Sequence, residues 1–260
     1  MAKTLGIAFG GSGAQGIANI AYIKALEASG IKPSIVSGTG IGAVVAAMYS
    51  AGMTAQNMID FMQEVDFPGS KRPININKIK DAKYGILDSL GLEEYYKMIV
   101  PIKVFDRLYF PLKIVAANCV TGEEVVFAEG DVGPAVRSAA AVPGVFMPHE
   151  ANGAFLMDGS CVNPVPFDVI RDDCDVLAAI DPQVNEEEAV PLVYSKLSAA
   201  FNATKKALSL EKQKTHKVDV FESFVVEEIS MYDFALYNDI IDSLEERAGL
   251  FALKVQDMLK

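Results

Sequence analysis

The sequence has no tryptophan, only two histidines and only three cysteines among its 260 residues. The cysteines (Cys119, Cys161 and Cys174) show no C-x-x-C spacing and are odd in number, so we expect reduced thiols in a cytoplasmic protein. The histidines, His149 and His216, belong to no H-E-x-x-H or Cys/His cluster, which excludes the common zinc sites. The sequence therefore predicts neither a bound metal nor a cofactor.

Positive charge is also scarce, because 23 lysines and arginines stand against 34 aspartates and glutamates, giving a net charge of −11. This balance disfavours nucleic acid as a partner and gives no general attraction to anionic lipid surfaces. A local basic cluster within residues 71–83 has two interpretations, a solvated loop or a site of peripheral membrane contact. Long apolar runs are absent too, since the longest, Ile41–Met53, is shorter than the ~20 residues that span a bilayer.

Glycine, by contrast, is plentiful, and two glycine motifs each separate a short apolar strand from a helix. The first motif follows Leu5–Phe9, spans Gly10–Gly16 and leads into a helix that ends near Gly30. Such a loop presents backbone N–H groups to an anion at the start of a helix. It also satisfies G-x-G-x-x-G, but the second strand ends without the carboxylate that would hold a ribose. A dinucleotide site is therefore disfavoured.

The second glycine motif, GTGIG from Gly38 to Gly42, forms the corner of Ser34–Met53 between a buried strand and a helix. Hydrolases with a nucleophile elbow have G-x-S-x-G at this place, with the serine at the apex of a strained turn. Here the glycines frame the corner correctly, and the apex residue is Gly40. The sequence predicts the scaffold of a catalytic corner without the hydroxyl that would attack.

Apolar strands and helices alternate along the rest of the chain. Four further strands are predicted from short apolar runs: Leu112–Ala117, Glu124–Phe127, Ala154–Met157 and Val176–Ile180. With a helix at Val132–Ala141, this order is typical of a mostly parallel sheet with helices on both faces. A polar segment, Asp66–Lys83, is predicted to cover the fold, and a helix follows at Asp88–Val100. After an acidic linker from Asn185 only helices are predicted, the last at Asp239–Lys260.

Four segments resemble those of one known family: GIAFGGSGAQGIANIAYIKALEASGI, GTGIGAVVAAMYSAG, AVRSAAAVPGVFMP and LMDGSCVNPVP. In this order and at these separations, from Leu5 to Asp181, the chain resembles a patatin-like phospholipase. The resemblance implies a three-layer α/β/α sandwich with a mostly parallel central sheet. It also implies a patatin-like domain over residues 5–183, with residues 184–260 as a C-terminal helical extension packed on the same domain.

In that family a serine at the elbow and an aspartate of a D-G-[GA] motif form a catalytic dyad that hydrolyses lipid acyl esters. By position, Asp158 matches the dyad aspartate, and Gly40 stands where the nucleophile belongs. The resemblance assigns the oxyanion hole to the backbone amides of Gly11, Ser12 and Gly13. The other motif positions carried over are Gly16, Gly38, Gly42 and Gly159. Because the carboxylate itself accepts the serine proton, such a dyad needs no histidine.

Two positions depart from the family pattern. Gly40 removes the attacking oxygen, and Gln15 replaces a residue that is usually arginine or lysine. No substitute nucleophile is expected: Thr39 should point away from the apex, Ser12 is placed to act through its amide, and Cys161 is a small thiol of the core. Loss of the nucleophile costs ~10⁶ in kcat in subtilisin, so the chain as written should be inactive or nearly so.

We therefore predict a family member that is catalytically inactive and keeps a pocket for a lipid or fatty-acyl ligand. A second hypothesis is an interaction scaffold that binds a partner through the acidic tract of residues 186–188 and the C-terminal helices. A third is an active esterase whose nucleophile the sequence does not reveal. The three differ in whether the protein carries an acyl chain and whether it labels with a covalent probe.

Overall fold

The computed structural model describes residues 2–64, 100–143, 146–151, 153–184, 192–229, 231 and 233–260. Within these residues eight strands form one sheet: β1 (Leu5–Phe9), β2 (Ile35–Gly38), β3 (Leu112–Asn118), β4 (Glu124–Phe127), β5 (His149–Ala151), β6 (Ala154–Asp158), β7 (Val176–Pro182) and β8 (Val220–Phe224). Parallel pairs join β3 to β2, β2 to β1, β1 to β7 and β7 to β8. The pairs that involve β4, β5 and β6 are antiparallel. The predicted α/β fold with a mostly parallel central sheet is confirmed.

Strand β3 brings two distant segments together along one of its edges. Its first half pairs with β2, where Gly38 lies opposite Ile114, and its second half pairs with β6, where Asp158 lies opposite Ala116. β4 pairs with residues 114–117 and overlaps both of these partners, so it occupies the other edge. The carboxyl ends of β2 and β6 therefore meet beside β3, which puts Gly38 and Asp158 close together in space.

Seven helices accompany the sheet in the described ranges: α1 (Asn19–Ala28), α2 (Gly40–Ser50), α3 (Ala55–Glu64), α4 (Val132–Ala139), α5 (Leu192–Thr215), α6 (Tyr237–Asp242) and α7 (Glu245–Leu259). Helix α3 begins after Thr54, whose Oγ1 accepts a hydrogen bond from the Asn57 amide at 3.1 Å. A short 3-10 turn, Gln15–Ala18, leads from the first glycine loop into α1. Among the described helices, none combines the length and the apolarity needed to cross a membrane.

The sheet buries apolar side chains on both of its faces. Successive residues of a strand point to opposite faces, and β7 divides accordingly. Ala178 and Ile180 join a large cluster that includes the buried sides of α1, α2, α4 and α7. Leu177 and Ala179 join a smaller cluster completed by residues 165–170. Each face is therefore covered, as a three-layer sandwich requires.

Strand β8 and helix α7, near the C-terminus, pack in the same hydrophobic core as helix α1. β8 extends the sheet beside β7, with Val220 opposite Ala178. The ring of Tyr22 on α1 stacks on Phe224 of β8 at 5.4 Å between ring centroids, and it meets Phe251 of α7 edge-on at 5.2 Å. Removing residues 220–259 would therefore expose part of the main core.

Two predictions for this part of the chain differ from the structure. Only helices were expected after Asn185, and β8 is a strand. The last helix, expected as one element over Asp239–Lys260, is two helices, α6 and α7. The break follows from Ser243, whose Oγ donates to the Ile240 carbonyl oxygen at 2.9 Å, and from Leu244, which has φ −108° and ψ 4°. A serine hydroxyl that bonds the preceding turn competes with continued helix.

Residues 65–99 are not among those described. The predicted cover Asp66–Lys83, the basic cluster within it and the predicted helix from Asp88 therefore lie outside the described residues. The acidic tract of residues 186–188 does so too.

Candidate active site

The corner after β2 has the backbone geometry of a tight strand-to-helix turn. Thr39 is extended (φ −141°, ψ 155°), and Gly40, the first residue of α2, has φ +55°. This left-handed region costs a residue with a Cβ about 1–2 kcal/mol, so glycine relieves strain at the apex. A Cβ built on Gly40 would lie 3.1 Å from the Cα of Gly11 and 3.3 and 3.4 Å from the two carboxylate oxygens of Asp158. The apex therefore faces that carboxylate.

The other motif glycines allow the backbone segments to approach each other closely. A Cβ on Gly38 would lie 2.6 Å from the carbonyl oxygen of Gly42, and a Cβ on Gly42 would collide with the backbone of residues 9–10. One on Gly159 would collide with a carbonyl of β3, and one on Gly16 would lie 2.9 Å from a side-chain carbon at the start of α2. Real Cβ atoms avoid such distances, so each of these positions requires glycine.

Asp158 ends β6 and is only 4% exposed. Its Oδ1 accepts a hydrogen bond from the Ser160 amide at 2.8 Å, and the Ser160 side chain lies close enough to lower the pKa of the carboxyl group. Burial raises the pKa of Asp158, and these two contacts with Ser160 and the nearby charge of Lys205 work against the rise. A carboxylate with a raised pKa is a stronger proton acceptor, provided that it stays ionised.

The glycine-rich loop of residues 10–14 lies against the corner. The Gly10 amide donates to the Ile180 carbonyl of β7 at 2.9 Å, which ties the loop to the end of the sheet. Gly11 packs so tightly that a Cβ on it would lie 2.8 Å from the Cα of Gly40. Gly13 has φ +55°, which favours glycine. The structure thus brings the loop, the apex and Asp158 into one site.

Gln15 is buried, and its side chain binds the C-terminal segment. Its Nε2 donates to the carbonyl oxygens of Val226 (3.0 Å) and Ile229 (2.6 Å), and its Oε1 accepts from the Val226 amide at 3.0 Å. Next to it, the Ala14 amide donates to the Met231 carbonyl oxygen at 2.9 Å. Arginine or lysine carries donors only and could not accept from the Val226 amide. Glutamine at this position therefore fastens Val226 and Ile229 against the glycine loop.

A lysine that the sequence did not single out enters the site from α5. Lys205 is 2% exposed, and its ammonium group donates to the Gly11 carbonyl oxygen and to the Ser12 hydroxyl. Burial lowers the pKa of Lys205, whereas the charges of Asp181 and Asp158 raise it. A lysine on a helix with exposed lysine and alanine beside it gives no sequence signal of burial. Its role depends on carboxylates that are distant in the chain.

Asp181 is the second buried carboxylate near this lysine. It lies at the end of β7 and is 2% exposed, and its Oδ2 accepts a hydrogen bond from the Ser209 hydroxyl of α5 at 2.8 Å. Its Oδ1 has no hydrogen-bond partner among the described residues. Burial raises the pKa of Asp181, and the charge of Lys205 and hydrogen bonds work against this. The positive charge of Lys205 therefore lowers the pKa of two buried carboxyl groups, Asp158 and Asp181.

Thr39 and Cys161, both considered as nucleophiles from the sequence, contact other groups. Thr39 Oγ1 donates to the Val115 carbonyl oxygen of β3 at 3.2 Å. The Sγ of Cys161 lies 3.6 Å from the Sδ of Met157. Burial, followed by the charge of Asp158, raises the pKa of the Cys161 thiol to about 12. At neutral pH this thiol stays protonated, which makes it a poor nucleophile.

Two serine hydroxyls do lie in the site. Ser12 Oγ, besides its contact with the lysine, donates to the Pro182 carbonyl oxygen at 2.5 Å. Ser160 Oγ contacts the Asp158 carboxylate and lies 3.5 Å from the Gly11 carbonyl oxygen. Sequence reasoning overlooked Ser160, although its place in the D-G-S turn puts a hydroxyl two residues from the aspartate.

Each of the two histidines lies within hydrogen-bond distance of a serine or threonine hydroxyl. His149 Nδ1 and the Ser138 hydroxyl are 2.8 Å apart, and His216 Nδ1 lies 3.0 Å from the Thr215 hydroxyl. All three cysteines are free thiols. Among the described residues, the polar groups that meet near Gly40 include the Asp158 carboxylate, two serine hydroxyls and the ammonium group of Lys205.

Comparison with known proteins identifies relatives of this chain. A family model described as Patatin-like phospholipase matches residues 7–171. An NTE family protein of Mycobacterium tuberculosis is 29% identical over 186 residues, which is 71% of this chain and 50% of that protein. Patatin-like phospholipase domain-containing protein 6 of Mus musculus is 25% identical over 178 residues, or 65% of this chain and 13% of that protein. The chain thus spans half or less of the length of these curated relatives.

Solved structures share the fold. VipD from Legionella pneumophila matches with a TM-score of 0.55 at 14% identity, covering 98% of this chain and 67% of VipD. The type III effector protein ExoU matches with a TM-score of 0.50 at 15% identity, covering 100% of this chain and 54% of ExoU. At these identities the likeness concerns the fold alone.

Proposed function

The chain belongs to the patatin-like phospholipase family, and we propose that it is a member whose catalytic dyad has lost its nucleophile. The observation that carries this proposal is the position of Gly40, where a Cβ would lie 3.3 and 3.4 Å from the carboxylate oxygens of Asp158. A serine hydroxyl on that Cβ would reach hydrogen-bond distance of the carboxylate, which is the contact that a general base needs. Glycine leaves Asp158 with no proton to accept from this position.

The proposal keeps the rest of the site as a binding site for a lipid or fatty-acyl ligand. The amides of Gly11, Ser12 and Gly13 are proposed to form the oxyanion hole, because this loop packs against the apex and precedes α1. A cytoplasmic location, with peripheral contact to membranes, belongs to the same proposal. The free cysteines support it, since disulfides are rare in that compartment.

Ester hydrolysis tests the proposed loss of catalysis. Turnover of a p-nitrophenyl acyl ester is compared for the unaltered chain, Gly40→Ser and the matched control Gly40→Ala, which adds the Cβ without the hydroxyl. We expect the unaltered chain and the alanine variant to be inactive and the serine variant to exceed both by at least ~10³. Circular dichroism checks folding, because a side chain at this positive φ costs about 1–3 kcal/mol. Turnover of the unaltered chain equal to that of the serine variant would contradict the proposal.

Lipid extraction followed by mass spectrometry tests the ligand. A fatty acid or phospholipid that copurifies in a constant ratio to the protein is the expected result. A protein that folds normally and neither copurifies with nor binds an acyl chain would instead favour the interaction scaffold.

A second candidate function is an active esterase that uses a different serine, because two serine hydroxyls lie in the site that contains Asp158. Ser160 contacts Asp158, and Ser12 contacts Lys205, a pairing of the kind found in serine–lysine hydrolases. Burial lowers the pKa of Lys205, which favours a neutral lysine as base, but the two nearby carboxylates oppose this. A fluorophosphonate probe mapped to either serine by peptide mass spectrometry would support this candidate, and the absence of label on both would exclude it.

A further inference from the structure

In its second half, helix α5 contacts the rest of the protein through a largely polar face. Lys205, Ser209 and Lys212 are spaced i, i+4 and i+7 and share one side of the helix, together with the half-buried Leu208 at i+3. Leu210, an apolar residue of the same helix, is 51% exposed. A helix that is part of a core shows the reverse pattern, with apolar residues inside and lysines outside.

The outer end of this face is held by a charged network. Lys212 Nζ lies 2.5 Å from the Asp168 Oδ2 and 3.3 Å from the Glu124 Oε2. Asn163 Nδ2 donates to both of these carboxylates at 2.8 Å. The three charged side chains are 15–27% exposed, so solvent reaches the network. This end of α5 is attached by charge at a site that water can enter.

The inner end of the same face closes the candidate active site. The ammonium group of Lys205 contacts Gly11 and Ser12, and α5 packs on the 3-10 turn Gly159–Cys161 that follows Asp158. Gly11, Ser12, Gly40 and Asp158 are buried, and Gly13 is half-buried. Helix α5 therefore covers one side of the site, over the glycine loop and the turn that follows Asp158.

The chain is exposed directly after α5 and is held by hydrogen bonds at Asp219, four residues beyond the end of the helix. His216 and Lys217 follow the helix and are exposed. Asp219 is fixed by Arg171 Nη1 at 2.8 Å and by the Leu177 amide at 2.9 Å. Residues 216–217 join α5 to this anchor. Arg171 Nη1 donates to the Lys217 carbonyl oxygen at 3.4 Å, so movement of α5 would break this long hydrogen bond while Asp219 stays fixed.

We propose that helix α5 is a cover of the active site, held closed by Lys212 outside and Lys205 inside, and that its opening admits the acyl ligand. Val226 and Ile229, fastened by Gln15, form a fixed wall on the glycine loop while α5 moves. The proposal rests on the proposed function for the identity of the ligand only. The proposed movement of α5 is argued from its contacts alone.

Hydrogen exchange tests the movement without ligand or activity. Amide exchange of residues 203–215 is measured by mass spectrometry for the unaltered chain, Lys212→Gln and the matched control Lys214→Gln, an exposed lysine in the same last turn. We expect Lys212→Gln to speed exchange in α5 by about tenfold while α1 and α2 keep their rates, and Lys214→Gln to change nothing. Glu124→Gln, which weakens the same network from β4, should act in the same direction and serves if Lys212→Gln folds poorly.

Two results would overturn the proposal. Equal exchange in the two lysine variants would show that the network does not hold α5. Faster exchange throughout the chain in Lys212→Gln would show that α5 is part of the cooperative core. Because neither result involves Gly40 or turnover, failure here is distinct from failure of the proposed function.

Thiol labelling tests whether movement of α5 opens the site. A Gly40→Cys chain, alone and with Lys212→Gln or Lys214→Gln, is treated with iodoacetamide, and the label is located by peptide mass spectrometry. Cys174, which lies against Ile170 and Arg171, is the internal reference. In the Gly40→Cys chain, we expect Lys212→Gln to raise labelling at position 40 relative to Cys174 by about tenfold and Lys214→Gln to leave it unchanged. An unchanged ratio would mean that the site stays closed when the contacts of Lys212 are removed, which contradicts the proposal.

Discussion

Helices α7 and α5 dock with the same spacing and opposite chemistry. Helix α7 buries four residues at i, i+3, i+4 and i+7, all of them apolar: Ala248, Phe251, Ala252 and Val255. In its described second half, helix α5 turns mostly polar residues inward: Lys205, Ser209 and Lys212 lie at i, i+4 and i+7, with the half-buried Leu208 at i+3. Periodicity alone therefore identifies a docked face without saying what holds it.

The two faces differ in how much free energy they gain from docking. Burying apolar surface stabilises a contact by roughly 25 cal/mol per Å², and no polar group has to give up water. A hydrogen bond or ion pair exchanges protein partners for water, so its net contribution is about 0.5–1.5 kcal/mol, and a buried charge costs more. We therefore expect α7 to belong to the cooperative core and α5 to separate from the sheet before it.

The largest expected change in stability is for a substitution in the apolar face of α7. Phe251→Ala removes a fully buried ring that meets Tyr22 edge-on, and we expect a loss of about 3–5 kcal/mol in the free energy of unfolding. Denaturant unfolding at neutral pH measures it. The matched control is Leu253→Ala on the same helix, which is 56% exposed and should change stability by less than ~0.5 kcal/mol. Equal losses would remove the distinction between the two faces of α7.

The next effect concerns the buried charge of α5. Burial raises the pKa values of Asp158 and Asp181, so their ionisation opposes folding once the pH exceeds about 4, the usual pKa of an aspartate. Lys205 offsets this, and without it both folded-state pKa values rise further. We expect Lys205→Met to lose about 3 kcal/mol at pH 7 and much less at pH 4. Unfolding curves across this pH range, with the exposed Lys206→Met as control, measure it.

A loss in Lys205→Met that is independent of pH would mean that the lysine acts by packing and not by charge. In that case α5 would resemble α7, and the contrast between them would fail.

A smaller effect is expected where a neutral side chain holds the C-terminal segment. Gln15→Arg supplies donors for the Val226 and Ile229 carbonyl oxygens but leaves the Val226 amide without its acceptor, and it buries a charge. We expect a loss of about 2 kcal/mol in the free energy of unfolding. Gln56→Arg, on the exposed side of α3, is the control and should be neutral. A stable Gln15→Arg variant would show that the departure from the family residue has no structural cause.

The parts of the site that the sequence predicted are those encoded by local backbone constraints. Gly38, Gly40 and Gly42 are needed by one turn, and a turn is specified by neighbouring residues. The buried strands were predicted because their apolar runs are continuous. Asp158 was assigned by resemblance, and the pairing of β3 with both β2 and β6 explains why it lies beside the apex.

The parts that the sequence did not predict depend on contacts between distant segments. Lys205 and Ser209 look like surface residues until Asp181 and the glycine loop are placed beside them. β8 alternates buried and less buried residues over only five positions, which is too short a pattern to recognise among helices. Gln15 was assigned to the anion-binding loop, but its partners lie more than 200 residues away, at Val226.

The smallest expected effect lies at the junction between α5 and β8. Burial alone would raise the pKa of Asp219, but hydrogen bonds from Arg171, the Leu177 amide and Lys217 lower it below the usual value. A lowered folded-state pKa means that the carboxylate stabilises the fold above pH ~4, and that this contribution is lost as the pH falls below its folded-state pKa. We expect Asp219→Asn to lose about 1 kcal/mol at pH 7 and progressively less as the pH falls below about 4. Asp257→Asn, an exposed carboxylate on α7, is the control, and an equal pH response in the two variants would show that Asp219 does not anchor the chain beyond α5.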